Sequence, residues 1–292
     1  MILKWYDQNK RNLPWRESQN PYKIWLSEVM LQQTQVDTVI PYFKKWLIHY
    51  PTIQSVAETE LDDLLKIWEG LGYYSRCRNF YNAAKEVITK HNGIIPNKIE
   101  VFRSLPGVGE YISGAVMSMA FNQSHIAMDG NHRRVISRVL GIKKLSNYNQ
   151  KRIKSILKEL IGVDRPGDVN QALMDIGSSI CKSRETLCLD CPLQSLCKAF
   201  LLGNPLAYPQ KINKMKIPTK QLVAALIKNK DSILISKRPN KGLLGGLWEL
   251  PNVVIENIDS PGNDLIGQIE KQYGYDITVN RPLGNKPLFY SL

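Results

Sequence analysis

Leu105-Pro106-Gly107-Val108-Gly109 lies between two stretches of helical periodicity, residues 98–104 and 110–121, and the fold is read outward from it. Glycines two apart reach backbone dihedrals closed to other residues, and they clear side chains from the amides that begin the second helix. Those orphan N–H groups can hold a phosphate oxygen. An ordinary tight turn would look the same, and for a lone Gly-x-Gly it would be the better reading. The basic chain around this one favours phosphate. Gly114 and Ala115, further along the second helix, are small enough to let the two helices of the pair pack closely.

The surrounding sequence has the same texture. Trp25, Leu26, Val29 and Met30, then Val36, Val39 and Ile40, recur three and four apart, which predicts helices as far as about Phe200. Pro41, Pro51, Gly70 with Gly72, Gly93 with Pro96, Pro106 and Pro166 with Gly167 cut this region into many short helices. Residues 203–220 read as a linker, because 211–220 hold four lysines and Pro218 without helical periodicity. Beyond it, residues 222–227 and 233–236 read as strands joined by a turn at 229–231, and residues 264–273, closed by Gly274, as a helix. A length of 292 residues with 43% apolar content suits two domains, here 1–202 and 221–292. Lysine and arginine outnumber the acids 39 to 26, a net charge of +13 that points to a polyanionic partner, nucleic acid first. No uninterrupted apolar stretch suggests a signal peptide or a membrane span, and the expected compartment is the cytoplasm.

Two carboxylates stand out. Asp129, in Asp129-Gly130-Asn131-His132-Arg133-Arg134, opens a helix running toward Leu140, where an aspartate is commonly just an N-cap. Glu28 sits beside Trp25, Val29 and Leu31 at helical spacing. Desolvation there would raise its pKa and keep it protonated as a general acid, although an exposed charge on an amphipathic helix is the commoner case. The polar run Gln32-Gln33-Thr34-Gln35 that follows suits contacts to base edges, or a solvated face.

Cys181, Cys188, Cys191 and Cys197 have six, two and five residues between them. Only the middle two form a close pair, whereas structural zinc sites usually bring two such pairs. The spacing favours a compact loop around an iron–sulfur cluster, with zinc the alternative. Cys77, without a partner, reads as a buried apolar side chain.

The ordered set of residues 27–36, 70–76, 105–109 and 129–131 with the four cysteines resembles the MutY-type adenine DNA glycosylases, and the hairpin resembles the helix–hairpin–helix element that grips a DNA backbone. The related endonuclease III family carries a lysine two residues after the last hairpin glycine, where this chain has Tyr111, and usually lacks a counterpart of Glu28. The resemblance implies a mainly α glycosylase with a [4Fe-4S] cluster on the four cysteines, followed by a C-terminal α+β MutT-like domain. It implies a monofunctional enzyme that removes adenine mispaired with 8-oxoguanine or guanine. Glu28 would protonate adenine at N7, Asp129 would face the sugar cation, and Tyr111 and Asn131 would position them. Trp15, Arg16, Leu31 and Gln171 would line the base pocket. Gln33 and Tyr73 would fill and wedge the vacated stack, Thr34 and Leu71 would touch the opposite base, and Gly107, Val108, Gly109 and Arg133 would hold the backbone. Trp15 and Tyr73 would equally suit ordinary core positions.

The expected partner is double-stranded DNA with an adenine mispair, bound by a monomer, with no membrane. In the MutT-like domain the resemblance places lesion recognition on a late loop. The chain stops at Leu292 ahead of that loop, so the expectation is an incomplete domain with narrowed discrimination. Of the helix that binds magnesium in MutT-like enzymes, only Glu270 is present.

Overall fold

The computed structural model describes residues 1–162, 164–210, 221–239, 242, 244–255, 261–278 and 283–284. The chain divides into two compact units, Met1–Ile212 and Asn213–Leu292.

The first unit is helical: α1 (Ile2–Asn9), α2 (Pro21–Leu31), α3 (Val36–His49), α4 (Ile53–Glu58), α5 (Leu61–Trp68), α6 (Ser75–His91), α7 (Ile99–Arg103), α8 (Glu110–Phe121), α9 (Gly130–Leu140), α10 (Asn147–Ile161), α11 (Pro166–Asp175) and α12 (Lys198–Leu201). Helix α2 starts where Asn20 accepts from the N–H groups of Tyr22 and Lys23, with Pro21 supplying the fixed φ of a first turn. From Ile24 to Met30 every side chain is buried, so α2 is a central helix rather than an amphipathic one. Around it α3 to α8 close one core, whose centre is Trp25 set edge-on against Phe80 and Phe102 at 4.9 and 5.0 Å. A second core gathers α9, α10 and α11, with Ile2, Leu3 and Trp5 of α1 packed on its side.

The C-terminus of α2 is held by one side chain. Arg76 donates to the carbonyls of Val29, Met30 and Gln32 at 3.0, 2.7 and 2.6 Å, and to those of Leu71 and Gly72, each at 3.1 Å. It also reaches Thr34 Oγ1 at 3.2 Å. Burial holds its pKa down at about 10. These bonds tie the end of α2 to the turn before α6, where Gly72 and Tyr73 both have positive φ.

Two differences from the sequence reading have physical causes. Pro41 does not break a helix; it lies inside α3, whose Val39, Phe43 and Trp46 bury one face in the first core and outweigh a missing N–H and a ring clash of about 3 kcal/mol. Gly114 does not serve the pairing of α7 with α8. A Cβ there would meet Ile126 O at 1.9 Å, so the glycine admits the extended strand of chain that leads into Asp129. The expected 264–273 helix begins earlier, as α13 (Pro261–Tyr273).

In the second unit, β1 (Leu222–Ala224) pairs antiparallel with β6 (Asn252–Val254), β2 (Lys228–Asn229) with β3 (Ser232–Ile233), and β4 (Ser236–Lys237) with β5 (Trp248–Glu249). Lys230 takes the positive φ at the β2–β3 turn, and Leu265 and Ile269 of α13 bury against Ala225. The expected strand at 233–236 is split between β3 and β4. Of the expected linker, residues 203–210 bond to the helical unit: Arg138 Nε donates to Tyr208 O and the Gln210 N–H to Lys143 O, each at 2.8 Å. Residues 211–220 and the chain end at Leu292 lie outside the described residues. Among the described residues no helix is long and apolar enough to cross a membrane.

Arg76→Met should cost about 3–5 kcal/mol, because several buried acceptors lose their donor at once. Thermal unfolding should then fall by about 10 °C. A shift within about 2 °C would show that the end of α2 does not depend on this cap.

Candidate active site

Between the two cores a cavity of about 890 Å³ is lined by Glu28, Tyr111, Asp129 and Asn131, with Trp15, Arg16, Leu31, Thr34 and Gln171 among its other walls. Helix α2 carries Glu28 into it, α8 carries Tyr111, and the first turn of α9 carries Asp129 and Asn131.

Glu28 is 3% exposed. Burial pushes its pKa up to about 7, against the opposing pull of the Tyr111 hydroxyl and the Arg16 guanidinium, while Asp129 adds to the rise. Tyr111 donates its hydroxyl to Glu28 Oε2 at 2.5 Å. Arg16 is itself committed to Asp175 in a bidentate pair at 2.7 and 3.0 Å, so it is only a partial counter-ion for Glu28.

Asp129 is shifted the other way. Burial works to raise its carboxyl, but hydrogen bonds and charge from His132, with Asn131, hold it below the usual carboxylate range. As the N-cap of α9 it accepts the His132 N–H at 2.8 Å and His132 Nδ1 at 2.7 Å, both on Oδ1, and Asn131 Nδ2 on Oδ2 at 2.8 Å. The chain entering it is pinned by Asn170, whose Oδ1 accepts from Ala127 N at 3.0 Å while Nδ2 donates to Ser118 Oγ and His125 O, each at 2.9 Å. One cavity wall thus carries a carboxyl disposed to keep its proton and another disposed to lose it.

Of the other residues expected at the site, Trp15 is buried and set edge-on to Phe43 at 5.4 Å, so it serves the core and the cavity together. Leu71 and Val108 are buried in the first core. Gln33, Tyr73, Gly107, Gly109 and Arg133 lie off the cavity wall. Gln33 and Tyr73 both hold positive φ, 59° and 47°, a conformation that marks a shaped turn rather than regular helix. At the hairpin, Gly107 has φ of 76° and a Cβ there would meet Asn79 Cβ at 2.7 Å, whereas one on Gly109 would meet only open space. The N-terminus of α8 is accordingly open: Gly109 is its N-cap, and among the described residues no side chain caps its amides.

The sequence reading passed over His132, Arg134, Asp175 and Gly177. Arg134 donates to Asn131 Oδ1 at 2.5 Å, Gly177 O at 2.7 Å and Cys181 O at 2.7 Å, which links the first turn of α9 to the π-turn Ile176–Ile180 and the first cysteine. Gly177 must be glycine for packing, since a Cβ would stand 2.5 Å from Asn131 Cβ. The run Arg133-Arg134 with Arg138 at helical spacing was the available signal.

All four cysteines of the loop are unpaired thiols, half-buried, with Cys181 and Cys191 packed against the second core. Arg138 Nη1 donates to Cys181 Sγ at 3.1 Å. Burial pushes the Cys191 thiol up to about 11; the Leu193 amide pulls it down, and the other three thiols add to the rise, so the four lie within electrostatic reach of one another. Among the described residues, no three His, Cys, Asp or Glu are grouped so as to hold a single metal ion. The donor set fits a cluster ligated by four thiolates: soft sulfurs, amide N–H groups aimed at Cys191 and Cys197, and a guanidinium on Cys181.

Residues 26–162 match the family of HhH-GPD superfamily base excision DNA repair proteins. An adenine DNA glycosylase of Buchnera aphidicola is 38% identical over 92% of this chain and 76% of its own length. This chain belongs to the adenine DNA glycosylase family. The rat adenine DNA glycosylase is 36% identical over 87% of this chain, which spans only 60% of the rat protein. A thermostable thymine-DNA glycosylase superposes with a TM-score of 0.64 at 29% identity, over 69% of this chain and 94% of that one.

The raised pKa of Glu28 has a consequence for stability. A folded pKa of about 7, above the ordinary glutamate value of 4.5, means that the Glu28 contribution is fully present below about 4.5 and is lost as pH rises through 7. The melting temperature of the protein relative to Glu28→Gln should therefore fall between pH 5 and pH 8. A difference that stays constant across that range would mean that Glu28 does not titrate there.

Proposed function

We propose that the protein is a monofunctional glycosylase that hydrolyses the N-glycosidic bond of adenine mispaired with 8-oxoguanine or guanine. The observation that carries this reading is the pair of carboxyls with opposed tendencies on one cavity, Glu28 raised to about 7 and Asp129 lowered. With the adenine turned out of the duplex into the cavity, a step costing a few kcal/mol, Glu28 gives its proton to N7. The C1′–N9 bond then breaks, its electron pair leaving with the neutral base. Asp129, as an anion, faces the oxocarbenium-like sugar or traps it covalently. Water adds at C1′, and its proton goes to the Glu28 carboxylate, which restores the starting state.

Tyr111 supports the monofunctional reading. It supplies a hydroxyl bonded to Glu28 rather than an amine able to attack the sugar. The open α8 N-terminus at Gly109 and the net charge of +13 support binding to the DNA backbone.

Cys181, Cys188, Cys191 and Cys197 would hold a [4Fe-4S] cluster. Four thiols within electrostatic reach of one another, of which only Cys188 and Cys191 form a close pair in sequence, support a cluster rather than zinc. Bound there, the cluster would supply structural bonds that fix the loop, since hydrolysis transfers no electrons. The second unit, with its antiparallel pairs and α13, is read as a MutT-like domain for recognising the opposite base.

Incubation with a duplex bearing adenine opposite 8-oxoguanine should release adenine and leave an abasic strand that breaks only on heating in alkali. The rate should fall as pH rises through about 7, where Glu28 loses its proton. Glu28→Gln and Asp129→Asn should abolish release while duplex affinity stays within a few-fold. Strand cleavage trapped by borohydride would move the enzyme to the lyase class. Substantial excision by Asp129→Asn would remove that residue from the mechanism.

Pure protein should be yellow-brown and contain iron and sulfide in equal amounts, and Cys191→Ser should yield unstable protein. A colourless protein with stoichiometric zinc would overturn the cluster.

A further inference from the structure

Of the four histidines in the chain, His132 alone is buried, at 0% exposure. Its Nδ1 stands 2.7 Å from Asp129 Oδ1, the same oxygen that accepts its backbone N–H. Its Nε2 is buried and has no hydrogen-bond partner among the described residues. The ring is not on the cavity wall, although Asp129 and Asn131 are. A ring nitrogen bonded to an ionised carboxylate must carry the proton. An imidazole held by one neighbour and otherwise unsatisfied has no packing advantage over an apolar side chain, so the reason for the histidine lies in what it does to Asp129.

We propose that His132 is a positioning residue for the excision reaction: from behind the cavity wall it fixes the Asp129 carboxylate in one orientation, leaving Oδ2, bonded only to Asn131, to face the sugar cation. The proposal rests on the role given to Asp129 above. Two donors from one residue occupy Oδ1, and a carboxylate so held is a weaker base than one free to rotate. The other titratable groups that reach Asp129 are Glu28 on α2, Tyr111 on α8 and Arg134 on its own helix. On the neighbouring α10 and α11, Lys154 is paired with Glu110, Asp175 with Arg16 and Asp168 with Arg165. None of these replaces the His132 bond to Oδ1.

The test is the pH profile of single-turnover adenine release, from pH 3 to 8, for the natural protein, His132→Phe and His132→Gln. His132→Phe should move the acid limb upward by about half a pH unit, a relative loss of about threefold at the low end. His132→Gln, whose amide can donate to Oδ1, should recover most of that shift. A limb that stays in place, or a loss equal at every pH, would overturn the proposal. Should His132→Phe not fold, nitrogen-15 NMR of the natural protein decides: the His132 ring should carry its proton on Nδ1, and the signal should move in Asp129→Asn. A proton on Nε2 alone would overturn the proposal. Absence of adenine release from the natural protein would refute the function, whereas the NMR result bears on the His132–Asp129 pair alone.

Discussion

The removal of water from Glu28 is the constraint on which the rest of the site depends. A carboxyl can lie in the middle of a buried helix only if it stays protonated or is met by donors, and here both conditions are partly fulfilled. Tyr111 supplies one short hydrogen bond, while Arg16, already engaged by Asp175, supplies only distant charge. The result is a group poised near neutrality rather than locked in either form. Had Arg16 been free to pair with Glu28, the carboxyl would have been an anion of little use as an acid.

The opposite wall is built by the opposite means. Asp129 is also largely buried, but it caps a helix whose first turn offers it a backbone amide, an imidazole and a side-chain amide. The N-terminal end of a helix favours negative charge, and each hydrogen bond adds to that preference. Two helices therefore bring two chemically identical groups to one cavity with their pKa values pushed in opposite directions, through local environment alone. Gly114, Gly167 and Gly177 let the backbones approach closely enough for this: a Cβ at the first two would strike the main chain, and one at the third would strike Asn131. Arg134 carries the arrangement onward to the cysteine loop, so the first turn of α9 and the carbonyl of Cys181 share one donor.

Much of this was legible in the sequence because it is local. The hairpin turn, the N-cap at Asp129, the grouping of the four cysteines and the apolar company of Glu28 all depend on residues close by in the chain. What could not be read depends on partners far away in the chain. Arg16 and Asp175 are separated by 159 positions, and Arg76 holds carbonyls more than forty residues before it. Gly114 looked like a helix-packing glycine because its true neighbour, Ile126 O, belongs to an irregular segment without periodicity. Pro41 looked like a helix end because local propensity omits the burial of Val39, Phe43 and Trp46.

The central claim is that a protonated and an ionised carboxyl coexist on this cavity near neutral pH. Infrared difference spectroscopy of the natural protein against Glu28→Gln measures it directly. The account predicts a protonated carboxyl C=O band at pH 6 that is absent from the variant, fades as pH rises through about 7 and persists in Asp129→Asn. A spectrum with no such band at pH 6, or a band that vanishes with Asp129→Asn instead, would contradict it.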